Sequence, residues 1–161
     1  MIDIKVYDNV LDDNFIDFLT YEISFFNWVV QGARPGGPRT FFYCDTSTLR
    51  SNNFLFHLLG KKYNLNLQLL RSYVNLNPSK NEGEFHRDDG ELTMIYYPLD
   101  WKDEFKGGTI FKRGDYIKYV KNRLLLFDSS LSHKADINLS GENRYSIAWK
   151  TKYLQHETKY V

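Results

Sequence analysis

The sequence predicts an α+β domain in which N-terminal helices buttress one face of a β-rich core. Three observations carry this. Helical periodicity appears twice before residue 66, and alternating apolar and polar runs fill the rest. Twelve Tyr, twelve Phe and three Trp supply the aromatic side chains that suit a sheet-built core with a lined pocket. With 161 residues the chain is expected to be one domain, 1–161, with helical support over about 1–66 and the β core over about 67–152.

Ile2-Asp3-Ile4-Lys5-Val6-Tyr7 alternates and is read as a strand. A helix follows. Asp12 or Asp13 can cap it, Leu11 stands where a hydrophobic staple would, and Phe15, Phe18, Leu19, Glu22, Ile23 and Phe26 recur at three- and four-residue spacing, with the aromatics expected in the core. Residues 31–39 carry Pro35 and Pro38 among three glycines and must form a loop. The prolines remove donors and the run leads into Thr40-Phe41-Phe42-Tyr43, so it is not a phosphate cradle. It is either a surface turn or part of a substrate lid, residues 31–45, carrying Arg34, Arg39 and Tyr43. Residues 51–63 predict a second helix with Phe54, Leu55, Leu58 and Leu59 on one face and His57 at the surface.

Residues 67–75 form the first core strand and put Arg71, Tyr73 and Asn75 on one side, either a solvent face or a pocket lining. A loop at 77–83 leads into Phe85-His86-Arg87-Asp88, and Asp89-Gly90 turns the chain. The next strand, 92–97, shows Thr93, Ile95 and Tyr97 on one face and ends at Pro98. Trp101 lies in a loop, in core packing or in substrate contact, and Gly107-Gly108 allow a bend or close backbone approach before strand 109–112. Turns at 113–115 and 121–123 bound strands 116–120 and 124–127. The last strand, 144–150, sets Arg144, Ser146 and Ala148 on one face and Trp149 in the core on the other. The tail 151–161, with His156, is expected to be a loose end or an edge extension.

The charges nearly cancel, 21 basic against 20 acidic, so no one-sided basic field marks a nucleic-acid partner. The single Cys44 cannot make an internal disulfide, and Met1-Ile2-Asp3-Ile4-Lys5 has neither the basic region nor the apolar core of a signal peptide, so a cytoplasmic protein is expected. Apolar runs such as Leu124-Leu125-Leu126-Phe127 fall far short of the roughly 18–20 residues of a membrane span, and no membrane partner is expected.

In an extended segment His86 and Asp88 point to the same side with Cα atoms about 6–7 Å apart, which is a metal-ligand spacing. His133 can join them only where a distant strand returns beside the first, as sheet folds allow. Two histidines and one carboxylate on one side of a metal form the facial triad of non-haem iron(II) chemistry, which leaves coordination positions open. A 2-oxo acid can fill two of them and dioxygen the third. The far carboxylate of a 2-oxo diacid then needs a cation, and an arginine fork suits it. Arg144 is the candidate. Ser146, one step along the same face, can donate a further hydrogen bond, and Tyr97 or Tyr73 can add a phenol from an opposing strand. Lys150 is the second choice of anchor. Arg87 points away from the metal, into an ion pair or a rim contact. A plain hairpin turning at Gly141 would leave Arg144 roughly 20 Å along the strand from His133. Their joint action therefore requires the last strand to cross to a facing sheet.

His86-x-Asp88, Gly107-Gly108-Thr109-x-Phe111, Phe127 with His133, and Gly141-x-x-Arg144-x-Ser146 together resemble the 2-oxoglutarate and Fe(II)-dependent oxygenase superfamily, in its prolyl 4-hydroxylase-like branch. The resemblance spans about residues 67–150. It implies a double-stranded β-helix, or jelly-roll, core behind N-terminal supporting helices. It also implies a dioxygenase that decarboxylates 2-oxoglutarate to succinate and CO2 while hydroxylating a C–H bond. Carried over, His86, Asp88 and His133 match the iron ligands and Arg144 the residue that binds the cosubstrate's far carboxylate. Tyr97 and Tyr73 resemble the tyrosines that line the cosubstrate pocket. Fe(II), 2-oxoglutarate and O2 are the implied cofactor and cosubstrates, with ascorbate an accessory reductant that the resemblance allows. The implied substrate is a peptide or protein proline. A hydroxylase of a free amino acid or other small molecule, and a non-catalytic metal-binding jelly-roll module, stand as alternatives.

Overall fold

The computed structural model describes residues 3–31 and 41–154. Helix-forming sequence comes first after strand β1 (Ile4–Tyr7). The Asp12 carboxylate caps α1 (Asp13–Ile23), accepting from the Phe15 amide at 3.0 Å, as the sequence signal predicts. The buried stripe of α1 is Ile16, Leu19 and Ile23, and Phe18 is 45 % exposed, contrary to expectation. Ile16 and Ile23 lie on the other side of Leu19 from Phe18 around the helix, so a stripe through those three turns Phe18 outward. In α2 (Arg50–Lys62) the buried residues are Asn52, Leu55, Phe56 and Leu59, while Phe54 and Leu58 face outward with His57. Apolar residues at 54–56 and 58–59 offer two overlapping stripes, and contact with the sheet selects the one through Leu55 and Leu59.

The remaining strands are β2 (Val29–Gln31), β3 (Phe41–Asp45), β4 (Leu67–Asn77), β5 (Leu92–Tyr97), β6 (Thr109–Phe111), β7 (Tyr116–Ile117), β8 (Arg123–Asp128), β9 (His133–Ala135) and β10 (Arg144–Tyr153). They form an antiparallel sheet of seven strands, in the order β1-β8-β5-β10-β4-β3-β2, and a second of three, β7-β6-β9. From β4 onward the chain alternates between the two. His86, β6, β7 and β9 lie on the small-sheet side, and β5, β8 and β10 return to the large sheet. That winding is a double-stranded β-helix, and it supplies the crossing between His133 and Arg144 that the sequence requires.

The large sheet is buried on both faces, which is why every residue of β5 is buried. Its outer face, with Val74, Met94, Tyr96, Leu124, Leu126, Ile147 and Trp149, packs on the helices. Its inner face, with Ile95, Tyr97, Leu125, Phe127 and Ala148, meets Phe111 and Tyr119.

Three expectations change. The segment 31–45 is not all loop: β3 pairs with β4, Tyr43 opposite Asn75 and Asp45 opposite Tyr73, and the β2–β3 pair extends the large sheet. Arg34, Arg39 and His156 lie outside the described residues. The last strand runs on to Tyr153 because Thr151 still pairs with Leu92, and the strand expected over 116–120 stops at Ile117. Among the described residues no helix is long and apolar enough to cross a membrane.

Leu59 is fully buried where α2 meets the sheet. Leu59→Ala should lower the unfolding free energy by about 2–5 kcal/mol, read as a lower urea midpoint at unchanged slope.

Candidate active site

A short antiparallel bridge builds the site. The His86 amide donates to the His133 carbonyl at 3.0 Å and the His133 amide returns the bond at 2.9 Å. Residues paired this way share a face, and the two imidazole centroids lie 4.5 Å apart. Two residues on, the Asp88 amide donates to the Ser129 carbonyl at 3.0 Å, which keeps the segment extended and turns Asp88 to the side of His86. One ligand atom from each of His86, Asp88 and His133 lies within 4.8 Å of the others. His86 Nε2 is 3.6 Å from Asp88 Oδ1, and His133 Nε2 is 3.4 Å from Asp88 Oδ2. The His86 side chain is 53 % exposed, whereas those of His133 and Asp88 are 4 % and 3 % exposed. The cluster therefore has one open side.

The donor set fits a divalent metal. Each Nδ1 sits 2.9 Å from a backbone carbonyl, of Glu84 for His86 and of Leu131 for His133. A carbonyl only accepts, so both Nδ1 atoms carry the proton and both Nε2 lone pairs face the cluster. Burial pushes His133 down to about 4, helped by His86 and Lys150 and opposed by Asp88, so it is neutral at pH 7. Burial alone would raise Asp88, but Lys150, His133 and Thr93 outweigh it and hold the carboxylate below its ordinary value. Two imidazoles that turn Nε2 to the cluster and a carboxylate are the set that non-haem iron sites use.

Arg144 lies on the inner face of β10 and is 2 % exposed. Its Nε donates to the Gly107 carbonyl, and Nη1 donates to Asn77 Oδ1 at 3.2 Å and Ser146 Oγ at 3.4 Å. The guanidinium stands over the rings of Tyr97 and Tyr119, at 5.6 and 5.2 Å. The Tyr97 hydroxyl pairs with Thr109 Oγ1 at 2.6 Å, and burial raises the phenol's pKa against the pull of Arg144 and Thr109. The expected close approach at the glycines is present. Gly107 has φ +73°, and a Cβ there would stand 3.1 Å from Arg144 Cδ. A Cβ on Gly108 would stand 2.3 Å from the Ile117 carbonyl oxygen.

The structure thus brings His86, Asp88 and His133 together, and Arg144, Ser146 and Tyr97 together farther along the same inner sheet face. Tyr73 lies at the other end from Arg144: its ring is 5.3 Å from Lys150 Nζ, and Asp88 helps to raise its pKa after burial. Lys150 does not join Arg144 as a second anchor, because its ammonium donates to Asp88 Oδ2. Arg87 is exposed and Trp149 fully buried, and Trp101 packs on Phe105 and Tyr119. Sequence reasoning missed Asn77, Thr109, Tyr119, Thr93 and Ser129. Thr93 Oγ1 donates to Asp88 Oδ2 at 2.8 Å with Ser129 Oγ 3.0 Å behind it. The alternation of β5, which sets Thr93 on the face of Tyr97, is the signal that could have found that residue.

No family model matches the chain, and no curated protein matches it by sequence. Solved structures do. HygX from Streptomyces hygroscopicus, crystallised with nickel, 2-oxoglutarate and hygromycin B, aligns at a TM-score of 0.73 with 13 % identity, over 92 % of this chain and 82 % of that one. A 2OG-Fe(II) oxygenase family oxidoreductase from Burkholderia pseudomallei aligns at 0.73 with 9 % identity, over 92 % and 84 %. The fold is that of the 2-oxoglutarate oxygenases. A prolyl-4-hydroxylase from Pseudomonas putida shares this oxygenase fold over 96 % of this chain and 95 % of its own, at a TM-score of 0.65 and 13 % identity.

The titration of His133 sets an acid limit on the metal-free oxygenase fold. The unfolded chain takes up this proton below about 6.5, the folded chain not until about 4. Stability is therefore complete above pH 6.5 and falls as pH drops toward 4, by up to about 3 kcal/mol. Urea unfolding at pH 7.5, 6 and 4.5 should show this decline, and His133→Asn should flatten it.

Proposed function

We propose that this protein is an Fe(II)- and 2-oxoglutarate-dependent dioxygenase that hydroxylates a C–H bond, acting on a peptide or protein proline. The observation that carries the reading is the convergence of His86, Asp88 and His133 within 4.8 Å, with Lys150, which binds Asp88, on the β10 face that also holds buried Arg144. His86, Asp88 and His133 would hold the iron. When bound, iron with 2-oxoglutarate and dioxygen supplies the oxidising power, and 2-oxoglutarate leaves as succinate and CO2. Arg144 pairs with the far carboxylate of the cosubstrate, and Ser146 and Tyr97 flank that carboxylate. Phe111 and Phe127 pack on the His133 ring at 6.0 and 4.6 Å and exclude water from that side. The open side at His86 is where substrate approaches.

A small-molecule substrate is the second reading. HygX, crystallised with hygromycin B, aligns as well as any oxygenase described above, whereas the near-complete mutual coverage with the Pseudomonas putida prolyl-4-hydroxylase supports proline. Mass spectrometry for the gain of one oxygen atom on peptide and amino-acid libraries separates the two.

Fe(II) and 2-oxoglutarate added to the metal-free protein without oxygen should produce the weak visible charge-transfer band of a chelated 2-oxo acid. His133→Ala and Asp88→Ala should abolish the band and succinate formation. Arg144→Ala should keep metal binding and raise the 2-oxoglutarate concentration for half-saturation at least tenfold, since it removes a buried charge-assisted pair. Iron uptake with no band in the unaltered protein would leave only a metal-binding jelly roll.

A further inference from the structure

We propose that Lys150 is a positioning residue that restricts Asp88 to single-oxygen ligation, so that the metal keeps the open positions a chelating cosubstrate needs. The inference rests on the oxygenase reading. Lys150 lies on β10, six residues beyond Arg144 on the same inner face, and is 1 % exposed. Its Nζ donates to Asp88 Oδ2. The same oxygen accepts from Thr93 Oγ1 at 2.8 Å, and Ser129 Oγ, 3.0 Å from Thr93 Oγ1, orients that hydroxyl. Oδ2 thus takes two donors, one of them charged. Oδ1 takes no hydrogen bond from the described residues and stands 3.6 Å from His86 Nε2, while Oδ2, with its two donors, stands 3.4 Å from His133 Nε2. The ring of Tyr73, 5.3 Å from Nζ, covers the ammonium. Both oxygens border an imidazole, but Oδ2 can bind a metal only by giving up a charge-assisted bond inside the protein, whereas Oδ1 gives up none, so Asp88 offers Oδ1 as its ligand atom.

Removal of the ammonium acts in opposite directions on the two partners. A divalent cation loses a repelling neighbour and gains Oδ2 as a second ligand. A dianionic 2-oxo acid loses an attractive neighbour and one open coordination position. A purely structural role for Lys150 would weaken both together.

The test uses the full chain in three forms: unaltered, Lys150→Met and Lys150→Arg. Mn(II) is titrated first, with the free ion followed by electron paramagnetic resonance. 2-Oxoglutarate is then titrated into the Mn(II)-loaded protein. Lys150→Met should bind Mn(II) at least as tightly as the unaltered protein and 2-oxoglutarate about tenfold more weakly, because the dianion loses a nearby cation and an open coordination position. Lys150→Arg, which restores a charged donor, should recover the cosubstrate affinity. Thr93→Val removes the other donor to Oδ2 and should shift both affinities the same way by less, which tests the idea if Lys150→Met does not fold. Unchanged 2-oxoglutarate affinity in folded Lys150→Met, or a parallel loss of both ligands, overturns the role of Lys150. An unaltered protein that binds neither Mn(II) nor 2-oxoglutarate overturns the oxygenase reading instead.

Discussion

The reciprocal pair of backbone hydrogen bonds between His86 and His133 is the constraint on which the site depends. It joins a segment with no regular strand of its own to β9, at the edge of the small sheet, across 47 positions of sequence. Because directly opposed residues of an antiparallel pair share a face, this one bridge sets the two imidazoles side by side without help from a ligand. The Asp88 amide extends the ladder to Ser129, and the carbonyls of Glu84 and Leu131 fix the ring tautomers. The backbones of all three residues are held by main-chain hydrogen bonds, which rotamer changes do not disturb. Pre-ordering of this kind moves the entropic cost of assembling a ligand set from binding into folding.

The inner face holds charge that the apolar packing around it could not tolerate unpaired. Asp88 and Lys150 lie at one end, with side chains 3 % and 2 % exposed, and Arg144 lies at the other. Burial lowers the Lys150 pKa and works against ionised Asp88, and each opposes the other's loss of charge. The pair is thus a condition for having a buried carboxylate here at all, since breaking a buried ion pair strands a charge at a cost of roughly 3–5 kcal/mol. Between the two ends β10 presents only Ser146 and Ala148 on the inner face.

Much of this was legible in the sequence, and the exceptions have a common cause. The convergence of His86 and Asp88 follows from the two-residue period of an extended chain, and the crossing of the last strand follows from the reach of a hairpin at Gly141. Both are local geometry. Phe18, Phe54 and Leu58 were misplaced because α1 and α2 are apolar on more than one side, so periodicity alone does not say which stripe the sheet covers. Lys150 was misread for a similar reason. Alternation puts it on the face of Arg144, but its partner depends on the register of β10 between β4 and β5, including the shift after Lys150 that passes over Leu70. Register between strands distant in sequence leaves no mark on either strand alone.

The division of labour between the two cations of β10 follows from what each has left to give. Lysine is a compact charge, and that of Lys150 is committed to one carboxylate oxygen at the histidine end. Arginine is a planar fork, and Arg144 commits Nε and Nη1 to the protein while two aromatic rings hold the guanidinium in place. Ionised Asp88 and Lys150 cancel, so of these three buried groups on the inner face the net charge is the single positive charge of Arg144. A dication at the histidines would raise that to three, and a dianion reaching from them to Arg144 would return it to one. Electrostatics alone therefore favours joint loading of metal and dicarboxylate over loading of metal by itself, a coupling that acts on both ligands equally. The arrangement is self-consistent under the oxygenase reading because the residues that hold the metal and those that would hold its chelate are charged to suit the pair.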